Sequence, residues 1–162
     1  MGADITLQNQ REVGGEPVAD IRVRSAALQG IEIPIDQVPL AIDEFPALFI
    51  AAACAEGRTV LRGAQELRVK ESDRIAAMAE GLTTLGVKNE VLEDGIIIQG
   101  GTLGGGTIRT YQDHRIAMSF AVAALRATDD ITVLDCDHVA TSFPGFDALM
   151  SQLGLGIRAV AG

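Results

Sequence analysis

Apolar side chains recur with helical spacing in several segments of this chain, and the stretches between them predict strands and turns. Within 75–85 the apolar residues stand three and four positions apart, which indicates an amphipathic helix. Ser72 or Asp73 is the expected N-cap, and Gly86 is the expected stop after the last apolar turn. The pattern therefore predicts a helix whose positive end follows directly on the charged residues 68–74.

Two further helices are predicted to be apolar almost all round. One opens at Asp43 and runs through Ala55, and the other opens at Asp113 and runs through Ala124. Because a helix with so little polar surface is typically buried, we expect both at the centre of the fold, inside a ring of sheets. Their starts and the start of the helix at 75–85 would then meet on one face.

These elements repeat at an interval of about 70 residues. Ala47, Ala51 and Ala53 match Ala residues in the second apolar helix, and Leu85-Gly86-Val87 matches Leu155-Gly156-Ile157 at the end of a second helix in each unit. The order strand, helix, strand, helix, strand pair predicts an α/β fold built from duplicated subdomains. The strands predicted between the apolar helices and after them are 59–61, 88–92, 96–99 and 132–134.

The repeat assigns about 1–30, 31–100 and 101–162 to successive units of one partial domain. The first piece would hold only the strand pair of its unit, because the helix that should precede Met1-Gly2 is missing. We therefore expect the chain to be cut from a longer protein within its first repeat; the alternative is a complete protein with irregular ends. The strands expected near the two ends are 4–8, 19–25 and 157–160.

The composition narrows the class of ligand. The chain has 162 residues, 48% of them hydrophobic, with 13 Lys and Arg against 22 Asp and Glu. A net charge of −9, one Tyr and no Trp exclude a basic or stacking surface for nucleic acid, and no apolar run approaches the roughly 18 residues of a membrane span. Cys54 and Cys136 form no metal-binding pattern and are expected to be buried thiols in a reducing cytoplasm. A small-molecule ligand is the default expectation.

The charged segment 68–74 is the first candidate site. Its cations are concentrated just ahead of a helix start, where free N–H groups and the helix dipole favour a bound anion. Arg74 offers a two-pronged donor for a carboxylate, Lys70 offers a mobile charge, and Glu71 is a candidate for proton transfer. The alternative is a solvated helix start held by salt bridges.

Residues at the starts of the two apolar helices are the second candidate group. Asp113 is expected to be an N-cap. Asp43 has the same explanation, but Glu44 follows it, so two carboxylates stand where one cap would suffice and one of them is a candidate catalytic base. His114 lacks the spacing of a metal ligand and is expected to form a structural hydrogen bond. Arg115, at the head of an apolar helix, is expected to be paired, and an anionic ligand would be such a partner.

The glycine-rich run 100–106 invites a third interpretation. It lacks the GxxxxGK[ST] pattern and opens no helix, so a flexible linker between the units is expected rather than a phosphate-binding loop.

Residues 68–74 (Arg-Val-Lys-Glu-Ser-Asp-Arg) and 113–118 (Asp-His-Arg-Ile-Ala-Met) resemble two signature motifs of the 5-enolpyruvylshikimate-3-phosphate synthase family. Segments 42–46 and 142–144 are similar to that family in the same order and spacing. The resemblance covers nearly the whole chain. It implies an inverse α/β prism of two domains, each with three βαβαββ units and buried parallel helices, and an active site in the cleft. This chain would be the last third of such an enzyme, and the missing N-terminal part its partner.

The resemblance implies transfer of the enolpyruvyl group of phosphoenolpyruvate to the 5-hydroxyl of shikimate 3-phosphate, in the shikimate pathway. It implies Asp43 as the proton acceptor beside that hydroxyl and Glu71 as the acid at the methylene carbon. Lys70 is implied as a contact of shikimate 3-phosphate and of the reacting centre. The residues implied on the phosphoenolpyruvate side are Arg74 and Arg115, with His114 as a close neighbour in the cleft. No metal or organic cofactor is implied.

This chain departs from the family pattern at one place. Many members carry a Lys where this chain has Ala140-Thr141-Ser142. Together with Glu66, this resembles the subclass known for tolerating glyphosate, although tolerance itself is not predicted.

Two alternative functions stay open. A UDP-N-acetylglucosamine enolpyruvyl transferase would share fold and chemistry but lacks the pattern of 68–74. The other alternative is a non-catalytic anion-binding module. The isolated chain is expected to fold without turnover.

Overall fold

Five α-helices and seven strands alternate along residues 1–160, the part of the chain that this computed structural model describes. The strands are β1 (Asp4–Val13), β2 (Glu16–Arg24), β3 (Arg58–Leu61), β4 (Asn89–Leu92), β5 (Gly95–Gln99), β6 (Gly106–Arg109) and β7 (Ile131–Leu134). The helices are α1 (Phe45–Ala53), α2 (Arg74–Thr84), α3 (His114–Ala123), α4 (Val139–Ser142) and α5 (Phe146–Gln152). Short 3₁₀-helices lie at Ile35–Gln37, Pro39–Glu44 and Gln65–Val69. The helices and strands predicted between 43 and 134 are confirmed to within about two residues.

The strands form three separate sheets. β1 and β2 make an antiparallel hairpin through Gly14 and Gly15, β3, β5 and β4 form an antiparallel sheet in that order, and β6 pairs with β7 in parallel. Gly14 and Gly15 both have positive φ, the conformation that glycine adopts without steric cost. The predicted N-terminal strand pair is confirmed, and it is longer than the pattern indicated. In the second unit the first strand, near residue 32, is reduced to isolated parallel bridges such as Glu32–Val60.

Helices α1, α2 and α3 pack together at the centre of the molecule, as the apolar patterns predicted. Phe45 and Phe49 of α1, Met78 of α2 and Phe120 of α3 are all buried in one continuous core. Gly81 allows α2 to approach α3 closely, because a Cβ at this position would lie 2.3 Å from the Phe120 ring. The three helices therefore begin near one another, on the face that carries the candidate residues.

The ends of α2 and α5 correspond to each other through a different glycine from the one predicted. Gly86 ends α2 with a φ of 81°, and its N–H donates to the Thr83 carbonyl oxygen. The same arrangement ends α5 at Gly154, which has a φ of 94° and donates to Ser151. Gly156 has no positive φ, so the match of Gly86 to Gly156 is wrong by two residues. The left-handed backbone that closes each helix decides the correct alignment.

Three other expectations are corrected by the packing. No strand forms at 157–160, where the chain bends back and the Ile157 N–H donates to the Leu155 carbonyl oxygen. Cys136 is exposed and Cys54 half-buried, so neither is the fully buried thiol that was expected. The run 100–106 connects the units but is not a loose linker, because its backbone packs tightly on neighbouring segments: a Cβ on Gly100 would lie 1.7 Å from the Ala55 carbonyl oxygen.

One apolar surface remains uncovered within the described residues. Ile5 and Leu7 of β1 stand opposite Val23 and Ile21 of β2, and these four side chains are between 51% and 66% exposed. No helix within residues 1–160 is long and apolar enough to cross a membrane.

Candidate active site

The start of α2 is organised by Asp73, which accepts a hydrogen bond from the Ala76 N–H at 3.0 Å. Asp73, rather than Ser72, is therefore the N-cap. Ser72 instead donates its hydroxyl to Asp113 Oδ2 at 3.1 Å and links the start of α2 to the start of α3. The sequence offered Ser72 only as an alternative N-cap, and no pattern indicated this link between the two helix starts.

Arg68 lies apart from the other cations of the charged segment. It donates to the carbonyl oxygens of Leu92 and Glu93 at 2.6 and 2.8 Å and pairs with Asp73 at 2.7 Å. These contacts fix the turn between β4 and β5 against the end of a 3₁₀-helix. The expectation that 68–74 acts as a single cationic cluster is therefore wrong for Arg68, whose donors are used by the fold.

Arg74 is the centre of the site. Its side chain is only 1% exposed, and its guanidinium contacts three carboxylates. Nε donates to Asp113 Oδ2 at 2.8 Å, Nη1 to Asp43 Oδ1 at 3.0 Å, and Nη2 to Glu71 Oε2 at 2.6 Å. A buried guanidinium with this geometry fixes the positions of all three acids relative to one another. The alternative of a solvated helix start is thus wrong for Arg74.

Asp113 has two roles in the structure. As predicted, it is the N-cap of α3 and accepts from the Arg115 N–H at 2.9 Å. It also forms the fully buried half of the ion pair with Arg74. Burial opposes its ionisation, but the hydrogen bond and charge of Arg74, with the donors from Arg115 and Ser72, hold the pKa of Asp113 below its ordinary value of 3.8. It therefore stays ionised inside the protein.

Asp43 is not an N-cap. It lies in the 3₁₀-helix Pro39–Glu44, and Glu44 occupies the N-cap position of α1 without a side-chain capping bond. The Asp43 carboxylate faces Arg74 and Lys70 instead, with Lys70 Nζ at 3.4 Å. Partial burial opposes its ionisation, yet Lys70 and Arg74 hold the pKa of Asp43 below its ordinary value of 3.8. Asp43 is therefore an ionised, partly exposed acceptor beside two cations.

Lys70 ends the 3₁₀-helix Gln65–Val69 and pairs with two carboxylates. Its Nζ contacts Glu66 Oε1 as well as Asp43 Oδ1. The hydrogen bond to Glu66, against the opposing effect of burial, raises the pKa of Lys70, and Asp43 adds to that rise. Lys70 is therefore a firmly protonated donor at the open side of the site. Glu66 stood out in the sequence only as a departure from a family pattern, although its spacing of four residues from Lys70 permits the pair.

Arg115 and His114 begin α3. Arg115 Nη1 donates to the Asp43 carbonyl oxygen at 2.8 Å and lies 3.3 Å from Glu44 Oε1, just before α1. The anionic ligand expected for Arg115 stays a prediction. His114 is half-buried, and its ring makes no hydrogen bond within residues 1–160. The structural hydrogen bond expected for His114 is therefore not formed.

The backbone that leads into α3 is strained. Tyr111 and Gln112, two consecutive non-glycine residues, have φ values of 53° and 63°. Such residues cost free energy and persist only where the surrounding contacts require them, often at functional sites. Tyr111 donates its hydroxyl to Glu80 Oε2 of α2 at 2.6 Å, which ties this turn to the helix that carries Arg74. A groove of about 360 Å³ runs beside it, lined by Glu71, Ser72, Asp73, Ala76, Ala77, Glu80 and Tyr111.

The assembled site is a set of fixed charges. The cations Lys70, Arg74 and Arg115 lie beside the carboxylates of Asp43, Glu71 and Glu44. Within the described residues no three His, Cys, Asp or Glu side chains form a group that could hold a metal ion. The arrangement can bind phosphate or carboxylate groups and move a proton beside them.

Comparison with known proteins relates this arrangement to one family. The sequence model described as "EPSP synthase (3-phosphoshikimate 1-carboxyvinyltransferase)" matches residues 1–150. The 3-phosphoshikimate 1-carboxyvinyltransferases of Halorhodospira halophila and Methylococcus capsulatus are 66% and 64% identical over 98% of this chain. In both cases the chain spans 36% of the relative's length.

Solved structures show the same relationship. An EPSP synthase from Acinetobacter baumannii superimposes with a TM-score of 0.97 at 55% identity, over 99% of this chain and 38% of that one. The enolpyruvyl transferase NikO from Streptomyces tendae superimposes with a TM-score of 0.64 at 22% identity, over 96% of this chain and 34% of that one, and so shares the fold. The α/β fold predicted from the sequence is that of the enolpyruvyl transferases.

Proposed function

Because this chain belongs to the EPSP synthase family, we propose that it is the C-terminal portion of a 3-phosphoshikimate 1-carboxyvinyltransferase. The whole enzyme transfers the enolpyruvyl group of phosphoenolpyruvate to the 5-hydroxyl of shikimate 3-phosphate and releases inorganic phosphate. One observation carries the proposal: the buried guanidinium of Arg74 contacts both Asp43 and Glu71, and Lys70 contacts Asp43 from the open side. Lys70, Glu71 and Arg74 belong to the motif 68–74 and Asp43 to the segment 42–46, and acids and cations meet there as this chemistry requires.

The reaction needs one proton acceptor and one proton donor on opposite sides of the reacting carbon pair. In the addition step, Asp43 takes the proton of the 5-hydroxyl while the hydroxyl oxygen attacks C2 of phosphoenolpyruvate. Glu71 protonates C3 in the same step. In the elimination step, the Glu71 carboxylate takes a proton back from C3, the double bond re-forms, and phosphate leaves with the C2–O bond electrons and with the proton that Asp43 had taken. The lowered pKa of Asp43 keeps its carboxylate ionised, as a proton acceptor must be when the hydroxyl arrives.

The anionic groups of the substrates require cations that are close but not consumed by the fold. Lys70 is at the open side and takes the role of contacting shikimate 3-phosphate and the reacting centre. Arg115 is 34% exposed and is the better placed arginine for phosphoenolpyruvate. Arg74 is already held by three carboxylates, so its contact with phosphoenolpyruvate requires the substrate to replace one of them. His114 is the half-buried neighbour at the same helix start.

The partner of this chain is the N-terminal remainder of the same enzyme, which supplies the other wall of the cleft. The exposed apolar face of the β1–β2 hairpin supports this assignment, because Ile5, Leu7, Ile21 and Val23 lie where a further layer of the same domain would cover them. We place 1–162 within one partial domain of a two-domain enzyme, with repeat pieces at about 1–30, 31–100 and 101–162. The acidic chain with two free thiols fits a cytoplasmic enzyme.

The similarity to the glyphosate-tolerant subclass is a finer proposal. It is supported by Glu66, which pairs with Lys70, and by α4 (Val139–Ser142), which presents no Lys beside the Phe143-Pro144 segment. In this proposal the cations that the chain contributes to the cleft are Lys70, Arg74 and Arg115.

The chemical roles are tested in the full-length enzyme with Asp43→Asn and Glu71→Gln, which keep side-chain size. Each variant is expected to lose about 10²- to 10⁴-fold in kcat, the usual contribution of a positioned acid or base. Calorimetric titration with each substrate is expected to show binding constants within a few-fold of the parent. Glu90→Gln, on the exposed strand β4, is the charge-matched control. Loss of substrate binding in step with turnover would assign both residues to scaffolding instead.

A further inference from the structure

Lys70 is held differently from the two arginines of the site. Its Nζ lies 2.5 Å from Glu66 Oε1 and 3.4 Å from Asp43 Oδ1. The Glu66 side chain is 59% exposed and the Lys70 side chain 21% exposed, so their ion pair lies at the solvent edge of the site. An ammonium group has three donors, and within residues 1–160 two carboxylates contact this one.

Arg74 and Arg115 each keep at least one partner that cannot leave as readily, besides the exposed carboxylates that also contact them. Arg74 is bound by Asp113, which is fully buried, and Arg115 is bound by the backbone carbonyl oxygen of Asp43. Glu66, in contrast, belongs to the short 3₁₀-helix Gln65–Val69 and forms no other side-chain hydrogen bond within residues 1–160. An exposed ion pair of this kind contributes little to stability, so the carboxylate can rotate into water at small cost.

We propose that Glu66 is a displaceable counter-ion for Lys70, which an anion must replace when it binds there. Glu66 keeps the ammonium protonated and oriented beside Asp43 while the site is free, and it competes with the incoming anion. The identity of that anion, the phosphate group of shikimate 3-phosphate, rests on the proposed function. The competition itself rests only on the ion pair, and inorganic phosphate is sufficient to detect it.

The pair acts within a field of other charges. Asp43 faces Lys70 from the 3₁₀-helix before α1, Arg74 faces Asp43 from α2, and Arg115 contacts the Asp43 backbone from α3. Glu71 shares the guanidinium of Arg74. All of these groups are retained when only Glu66 is changed, so any difference in phosphate affinity reports on Glu66.

The test measures inorganic phosphate binding to the 162-residue chain at low ionic strength, followed by the NMR signals of the Lys70 side chain. Glu66→Gln is expected to bind phosphate about two- to fivefold more tightly than the parent, the factor by which an exposed ion pair competes. Glu90→Gln changes the net charge equally but lies outside the site, and is expected to bind like the parent. Glu66→Asp keeps the charge on a shorter side chain, and its phosphate affinity is expected to lie between those of the parent and Glu66→Gln.

Two further readouts separate competition from a structural effect. In a Lys70→Met background, Glu66→Gln is expected to confer no advantage, because the cation for which the carboxylate competes is gone. The titration midpoint of Lys70 is expected to fall in Glu66→Gln, because the hydrogen bond that raises it is removed. Phosphate affinity in Glu66→Gln equal to or weaker than in Glu90→Gln would overturn the proposal. None of these measurements requires turnover, so this result is independent of whether the proposed reaction occurs.

Discussion

Arg74 and Asp113 form a buried ion pair that joins the starts of two central helices. Arg74 Nε lies 2.8 Å from Asp113 Oδ2, and the two side chains are 1% and 0% exposed. The same carboxylate caps α3 through the Arg115 N–H, while the same guanidinium binds Asp43 and Glu71. A contact that orders the catalytic candidates is thus also part of the core.

The first prediction compares two N-cap aspartates in the 162-residue chain. Asp113→Ala is expected to lower the free energy of unfolding by about 3–5 kcal/mol, because it leaves the buried Arg74 without its fully buried counter-ion. Asp73→Ala removes the cap of α2 and an exposed pair with Arg68, and is expected to cost about 1 kcal/mol. Urea unfolding followed by circular dichroism measures both. Equal losses would show that Asp113 is only a cap.

The second prediction concerns acid stability. The pKa of Asp113 in the folded chain is below its ordinary value of 3.8 because Arg74 stabilises the carboxylate. The stability from this carboxylate is therefore complete above that ordinary value and is lost as pH falls through the lower, folded value. Urea unfolding between about pH 2 and 6 should show a steeper acid decline for the parent chain than for Asp113→Asn. Parallel declines would contradict the lowered pKa.

The third prediction tests the packing of the glycine-rich connection. A Cβ on Gly100 would lie 1.7 Å from the Ala55 carbonyl oxygen. A Cβ on Gly101, in contrast, would have no neighbouring atom within 4 Å. Gly100→Ala is expected to destabilise the chain by about 1–3 kcal/mol through overpacking. Gly101→Ala, the adjacent control, is expected to stay within about 0.5 kcal/mol of the parent. Equal tolerance of both changes would restore the interpretation of 100–106 as a flexible linker.

The fourth prediction separates the two substrates in the full-length enzyme. Arg115→Lys keeps the charge at the start of α3 but loses the planar, forked donor. The KM for phosphoenolpyruvate is expected to rise about tenfold or more, while the KM for shikimate 3-phosphate changes little. Steady-state kinetics with each substrate varied in turn would decide. A rise confined to shikimate 3-phosphate would assign Arg115 to the other ligand.

Periodicity was sufficient to predict the central helices, since the apolar residues of α2 recur at helical spacing and those of α1 leave no polar face. The candidate residues were also predictable as a set. Their individual states were not, because Arg68 and Arg74 are the same residue type in one segment, and only the fold buries Arg74 and turns Arg68 onto the backbone of the β4–β5 turn.

Other features depend on backbone geometry that single-residue patterns do not encode. Asp43 lies in a 3₁₀-helix that precedes α1, so its carboxylate is free to face Lys70 rather than cap a helix. Gly154, rather than Gly156, ends α5 because its φ is positive. Two glycines so close in sequence are indistinguishable by pattern until the helix end is placed.

The most direct test of the central claim is steady-state phosphate release from phosphoenolpyruvate and shikimate 3-phosphate, with the 162-residue chain and the N-terminal remainder of its parent purified separately and then mixed. The account predicts no release by either piece alone and release by the mixture, with mixtures containing Asp43→Asn or Glu71→Gln inactive. Turnover by the 162-residue chain alone, or undiminished turnover in the Asp43→Asn mixture, would contradict it.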